Sequence, residues 1–220
     1  MAQYGNLNKE GMPPRSTRAA TGSTWLHRSF VFYGSYHNNL VNQLIHIVFV
    51  WAILYSSFVM LRWTPALSTA QLPLPTAIKS ILPQGTTFPL NAQALVAGLY
   101  FLWYAAVEPD GFAGYICCAL VAVGYVGANV VVQLYGDDAF KWARALHILS
   151  WVSQFIGHGA FEGRSPALLQ NFFQAFAMAP LFVVMEVLFA VGYRPDFRAR
   201  AQVDIDKQIK QWAADKKESK

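Results

Sequence analysis

The chain has 220 residues, of which 55% are hydrophobic and only 13% charged, about half the charge content of ordinary soluble domains. The apolar residues come in blocks rather than amphipathic stripes, and the net charge of +5 sits in two polar ends, so a basic nucleic-acid-binding face is excluded and a membrane protein is expected. Cys117 and Cys118 are adjacent on an apolar run with no third cysteine, which excludes a disulfide framework and a zinc–cysteine site; they read as small packing residues.

Residues 1–24 are polar and rich in Gly, Pro, Ser and Thr, and read as a disordered tail without the apolar core of a cleavable signal peptide. From Trp25 to Val41 aromatic and polar residues mix, as suits a helix at headgroup level. A first span is predicted from Leu40 to Arg62. Five prolines make 63–90 a loop. A second span, Ala92 to Val107, and a third, 112–134, are joined by the tight turn Glu108-Pro-Asp-Gly111. A fourth helix runs from Lys141 to Phe161, and a fifth apolar stretch, 171–192, is interrupted by Pro180.

The predicted fold is therefore all-α: a polytopic membrane helix bundle with four to five apolar helices and an interfacial amino-terminal helix. The predicted division is a polar tail over 1–24, a membrane-embedded catalytic domain over 25–193 and a charged cytosolic tail over 194–220. Basic ends on one side of the membrane require an even number of crossings, so the stretch around Pro180 is expected to enter without crossing.

The chemistry-bearing residues lie where lipid tolerates them least. Arg144, His147, Trp151, Gln154, His158 and Glu162 follow one another at steps of three or four and share one face of the fourth helix. Such a stripe must face protein or a wet cavity. A hydrogen-bonded seam between helices is the plain alternative. In the amino-terminal half, Tyr33 and His37 are four apart, as are Asn38, Asn42 and His46. His27, beside Arg28, reads as an interfacial histidine.

Four histidines with Asn, Gln and Glu nearby suit a transition metal whose ligands are oriented by outer hydrogen bonds. His147 and His158 are 11 residues apart, about 16 Å along an ideal helix. They can hold one ion together only if the helix breaks, for which Gly157 and Gly159 give an opening. Otherwise the site uses one or two of them with His37 or His46. No His-x-Asp pair, His-Glu-x-x-His helix, dinucleotide fingerprint or phosphate loop is present. Glu186 lies inside the fifth apolar stretch, where a carboxylate must pair, protonate or ligate. Arg144 and Arg164 are candidates to receive an anion.

Tyr36-His37, Asn42 and Leu44-Ile45-His46, followed by Trp151-Val-Ser-Gln154-Phe155-Ile-Gly157-His158-Gly159-Ala-Phe161-Glu162, Arg164, Pro166-Ala167-Leu168, Asn171, Ala179-Pro180 and Glu186, resemble the signatures of the 2-hydroxypalmitate dioxygenase family. The chain departs from many members at Phe49 and Trp51, where they hold Gly and Pro. The resemblance implies an enzyme of the endoplasmic reticulum membrane that depends on Fe2+. Its substrates would be dioxygen and a 2-hydroxy fatty acid, shortened by one carbon in phytosphingosine breakdown. Carried over by position, His37, His46, His147 and His158 would bind the metal. Asn42, Gln154, Glu162, Arg164 and Glu186 would support it or meet substrate. Lys216-Lys217-Glu-Ser-Lys220 is similar to a dilysine retrieval signal, displaced by one residue. A haem-binding electron carrier and a non-enzymatic lipid-binding protein are the alternatives.

Overall fold

The computed structural model describes residues 24–109, 111–163 and 172–218; the polar stretch before them and Arg164 lie outside the described residues. Helix α1 (Thr24–Tyr36) leads into α2 (Leu40–Leu61), whose amino end is capped by the Asn39 side chain accepting from Val41 N–H. The proline-rich connection holds a single helical turn, α3 (Thr76–Lys79). Helix α4 (Ala92–Val107) begins at Asn91, whose side chain accepts from Ala94 N–H. Helices α5 (Phe112–Tyr135) and α6 (Asp137–Ile156) are joined by Gly136 alone, at φ 51°, a left-handed conformation that glycine adopts without penalty. A π-helical turn, Gly157–Glu162, continues α6. A second π turn, Gln174–Met178, runs into α7 (Ala179–Ala190), and α8 (Pro195–Glu218) ends the fold.

Helices α2, α4, α5 and α6 form the bundle, and α2 is its hub. Asn42 near the start of α2 meets Gly157 at the end of α6, and Ser56 further along meets His147, so the two run antiparallel. Arg62 at the other end of α2 reaches Asn129 of α5, and its carbonyl accepts from Asn91 beside α4. Leu44, Val48, Leu99, Val123 and Ile148 point outward, as a lipid-facing surface requires.

Two helices, α2 and α5, are long and apolar enough to cross a membrane; counting the pair α7–α8, bent by 115°, as one broken span makes three. Of the four to five apolar helices expected above, α4 and α6 miss that length or apolarity for physical reasons. Helix α4 has only 16 residues, about 24 Å against a hydrocarbon core of about 30 Å. Helix α6 opens with Asp137, Asp138, Lys141 and Arg144 and is not apolar over a full span.

The charged carboxy-terminal stretch forms a helix packed along α1. Phe197, Ala201 and Ile205 are its buried side, and Phe30 meets Phe182, Phe189 and Phe197 edge-on at 5.4–5.8 Å. His27 and Asp204 pair across the two helices at 3.0 Å, and the His27 hydrogen bond holds the Asp204 carboxyl below its usual range. At the α7–α8 corner, Arg194 takes up φ 44° and its Nη1 lies 2.6 Å from Glu108 Oε1 in the α4–α5 turn. Burial raises the Glu108 carboxyl even with Arg194 beside it, so the pair is expensive to separate. Arg194→Ala leaves Glu108 buried without its cation and is expected to cost about 3 kcal/mol, read as a lowered unfolding midpoint in detergent; a midpoint equal to wild type would show that the pair contributes nothing.

Candidate metal centre

Three imidazoles from two distant parts of the chain meet at one end of the bundle. His37 sits in the short link between α1 and α2, His46 in the second turn of α2, and His158 in the π turn. All three are buried. Their ring centroids are 4.3 Å (His37–His46), 4.8 Å (His37–His158) and 4.8 Å (His46–His158) apart, with planes at 70–77°. One ligand nitrogen from each lies within 4.8 Å of the others. With metal–nitrogen bonds of about 2.1 Å, two nitrogens on one ion are at most about 4.2 Å apart, so an inward movement of under ~1 Å suffices.

The backbone fixes the tautomers. Helix α1 ends at Tyr36, and the Tyr33 carbonyl, near this end, accepts from His37 Nδ1 at 2.8 Å. His46 Nδ1 donates to the Asn42 carbonyl at 2.9 Å. With Nδ1 carrying the proton, Nε2 of each ring is left with its lone pair, the form a metal requires. His37 Nε2 is buried with no hydrogen-bond partner. Burial, then the adjoining His46 and His158 rings, hold His37 well below the usual histidine range, so it is neutral at physiological pH. Tyr33 stacks on His37 with centroids 4.1 Å apart and planes at 15°, walling one face of the ring.

Glu162 clamps the two halves together. Its Oε1 accepts from Asn39 N–H at 2.7 Å and from Asn42 Nδ2 at 3.2 Å; the same amide reaches the Tyr36 carbonyl at 3.2 Å. Gln43 Nε2 donates to the His37 carbonyl at 2.8 Å. Gly157 permits this approach, because a Cβ there would run into Asn42 Oδ1.

His147, the fourth histidine of the family pattern, is not in this group. Trp151 Nε1 donates to its Nε2 at 3.0 Å, and its Nδ1 pairs with Ser56 Oγ at 3.0 Å, the hydroxyl donating on to the Ile53 carbonyl. Both ring nitrogens are thus engaged, far down the seam from His158. Gln154, one turn before His158, faces a cavity of about 60 Å³ bounded by Val50, Leu54, Tyr100 and Trp151, and its Nε2 is buried with no partner. Glu186 lies half-buried on α7 beside a cavity that His37 also lines. Arg144 is exposed on α6. A haem has no room here, since the three rings pack directly on one another. Sequence reading did not single out Asn39 or Gln43, which act through the backbone and through link geometry, nor Arg198 on α8, whose four-residue spacing to Gln202 is the signal that was available.

Single His→Ala changes at 37, 46 and 158 should each remove a metal ion bound at this group, measured by elemental analysis. His147→Ala should keep the metal and lower stability by about 1–2 kcal/mol through the lost Ser56 and Trp151 bonds. Gly157→Val should separate α2 from the π turn and lower metal occupancy while the helical content by circular dichroism stays; full occupancy would mean the close approach is dispensable.

The family model described as 2-hydroxy-palmitic acid dioxygenase Mpo1-like matches residues 24–191. The 2-hydroxy-palmitic acid dioxygenase MPO1 of Saccharomyces cerevisiae is 34% identical over 180 residues, which cover 82% of this chain and 88% of that protein. No solved structure matches the chain. These matches, over most of both chains' length, place the chain in the Mpo1-like 2-hydroxy-palmitic acid dioxygenase family.

Proposed function

We propose that the chain is a non-haem iron dioxygenase that shortens 2-hydroxy fatty acids by one carbon, with His37, His46 and His158 holding Fe2+. The observation that carries this reading is the convergence of three buried imidazoles, two of them with their tautomers set by carbonyls, in a member of this family. Ferrous iron supplies the one-electron chemistry that dioxygen requires and that amino-acid side chains lack.

The stoichiometry needs nothing further. A 2-hydroxy acid and O2 give the acid one carbon shorter, CO2 and H2O; the substrate loses four electrons and O2 accepts four. Three histidines are neutral donors, so they leave the charge of a divalent ion to be offset by an anion, and a 2-hydroxy carboxylate brings one. The chain's own residues bind and orient. Asn42 and Glu162 hold the two histidine-bearing segments at fixed separation, Tyr33 shields one face of His37, and Gln154 presents an unpaired amide on the apolar side.

The scaffold suits an amphipathic substrate. The histidines sit at one end of the bundle rather than midway along it, where a carboxylate at headgroup level meets them while its tail stays among lipid. In this reading the crossings are even in number, the stretch around Pro180 enters without crossing, and both basic ends face the cytosol from an endoplasmic reticulum membrane. Protein purified in detergent and stripped by a chelator should release no CO2 from 2-hydroxypalmitate and should recover with Fe2+ and O2 alone. A requirement for oxoglutarate or an external reductant would overturn the scheme.

A further inference from the structure

A second, polar cavity of about 90 Å³ opens between α1, α7 and α8, and His37 forms part of its wall. Around it stand Asn38, Gln43, Glu186, Arg198 and Gln202, with Phe30 and Phe189 below. Its position follows from the docking of α8. Gly34 on α1 allows Ile205 to sit where a Cβ would otherwise be, which draws α8 against the helix that delivers His37. Arg198 Nη1 donates to the Phe189 carbonyl at 3.1 Å, and so the guanidinium is anchored at the end of α7 with most of its five donors uncommitted to that bond. Gln202 is braced by Asp206 at 2.9 Å. Glu186 and Arg198 are the two charged members of the lining, one from each of two different helices.

We propose that this cavity reads the head of the substrate: Arg198 pairs with the carboxylate, and Glu186 accepts a hydrogen bond from the 2-hydroxyl. The proposal rests on the dioxygenase reading and adds to it the residues that choose the substrate. A 2-hydroxy acid carries one anionic acceptor and one neutral donor on adjacent carbons. A guanidinium and a carboxylate lining the same cavity are complementary to that pair. An unsubstituted fatty acid satisfies Arg198 but offers Glu186 no donor, so a polar group in a confined space goes without its hydrogen bond. Sites built to hydrogen-bond a substrate hydroxyl reject analogues that lack it. The selectivity for the hydroxy acid would thus come from the protein, through Glu186, as well as from any direct bond to the metal. It also gives α8 a part in the site.

The test uses the iron-loaded full chain in detergent, with Arg198→Gln, Arg198→Lys and Glu186→Leu variants. Three quantities are read: iron content, KM and kcat for 2-hydroxypalmitate, and the inhibition constant of palmitate. Loss of a charge-assisted hydrogen bond corresponds to roughly tenfold or more in binding. Arg198→Gln should raise KM by that factor with iron content at the wild-type level, and Arg198→Lys should recover part of it. Glu186→Leu should raise KM for 2-hydroxypalmitate by the same factor while the palmitate inhibition constant changes little, so the preference for the hydroxy acid collapses. Wild-type KM in the Arg198 variants together with wild-type discrimination in Glu186→Leu would overturn the assignment, as would loss of iron in step with activity, which marks a structural role. A wild-type enzyme that binds 2-hydroxypalmitate through Arg198 but releases no CO2 would defeat the dioxygenase reading and leave the head-group assignment standing.

Discussion

The contact on which the centre depends is the carboxylate of Glu162 held between the Asn39 N–H and the Asn42 side-chain amide. Those partners are more than 100 residues away in sequence, and closing so long a loop has an entropic cost that local helix formation does not repay. The return comes from burial and from charge-assisted hydrogen bonds, which are stronger than neutral ones where water is scarce. Once the carboxylate is seated, His46 and His158 face each other across the seam and the link carrying His37 is held from both sides. The clamp, rather than any one histidine, sets the separation of the rings.

The π turn is the second constraint. A straight α-helix keeps His147 and His158 on one face, and the sequence stripe from Arg144 to Glu162 reads as a single polar seam. Hydrogen bonds that skip one more residue widen the last turn of α6 and turn Glu162 toward the amino end of α2. The seam is thereby divided by depth. At the mouth are the histidines that share one space. Deeper in, His147 makes a closed set of hydrogen bonds with Trp151 and Ser56 that ties α2 to α6. Chemically similar side chains acquire different roles because His37 and His46 keep an Nε2 lone pair while His147 has both ring nitrogens engaged.

Much of this was legible in the residues. The starts and ends of α2, α4 and α5 follow from apolar runs bounded by Asn39, Asn91 and the Glu108–Gly111 turn, because lipid forces backbone pairing within each segment. The 11-residue spacing already showed that His147 and His158 could not share an ion on an unbroken helix. Which one joins His37 and His46 was not legible, since it depends on where the helix widens and on a glycine approach that only a partner helix reveals. The role of α8 was hidden for another reason. Phe197, Ala201 and Ile205 are sparse among charges, and a stripe of three apolar residues carries meaning only when Gly34 and Phe30 lie opposite.

The placement of polarity then accounts for the architecture. Every histidine, glutamate and asparagine of the centre lies within about two turns of a helix end, where backbone carbonyls and N–H groups are available as partners. The same constellation at mid-bundle would have to satisfy these groups with side chains alone, at a cost that lipid makes severe. At the end of the bundle the carbonyls at Tyr33 and Asn42 fix the rings, and a polar cavity lies beside them. A fatty acid anchored by its head at the membrane face needs no extraction from the bilayer to reach such a centre. A site that must be both metal-binding and open to lipid is therefore most cheaply built where helices stop.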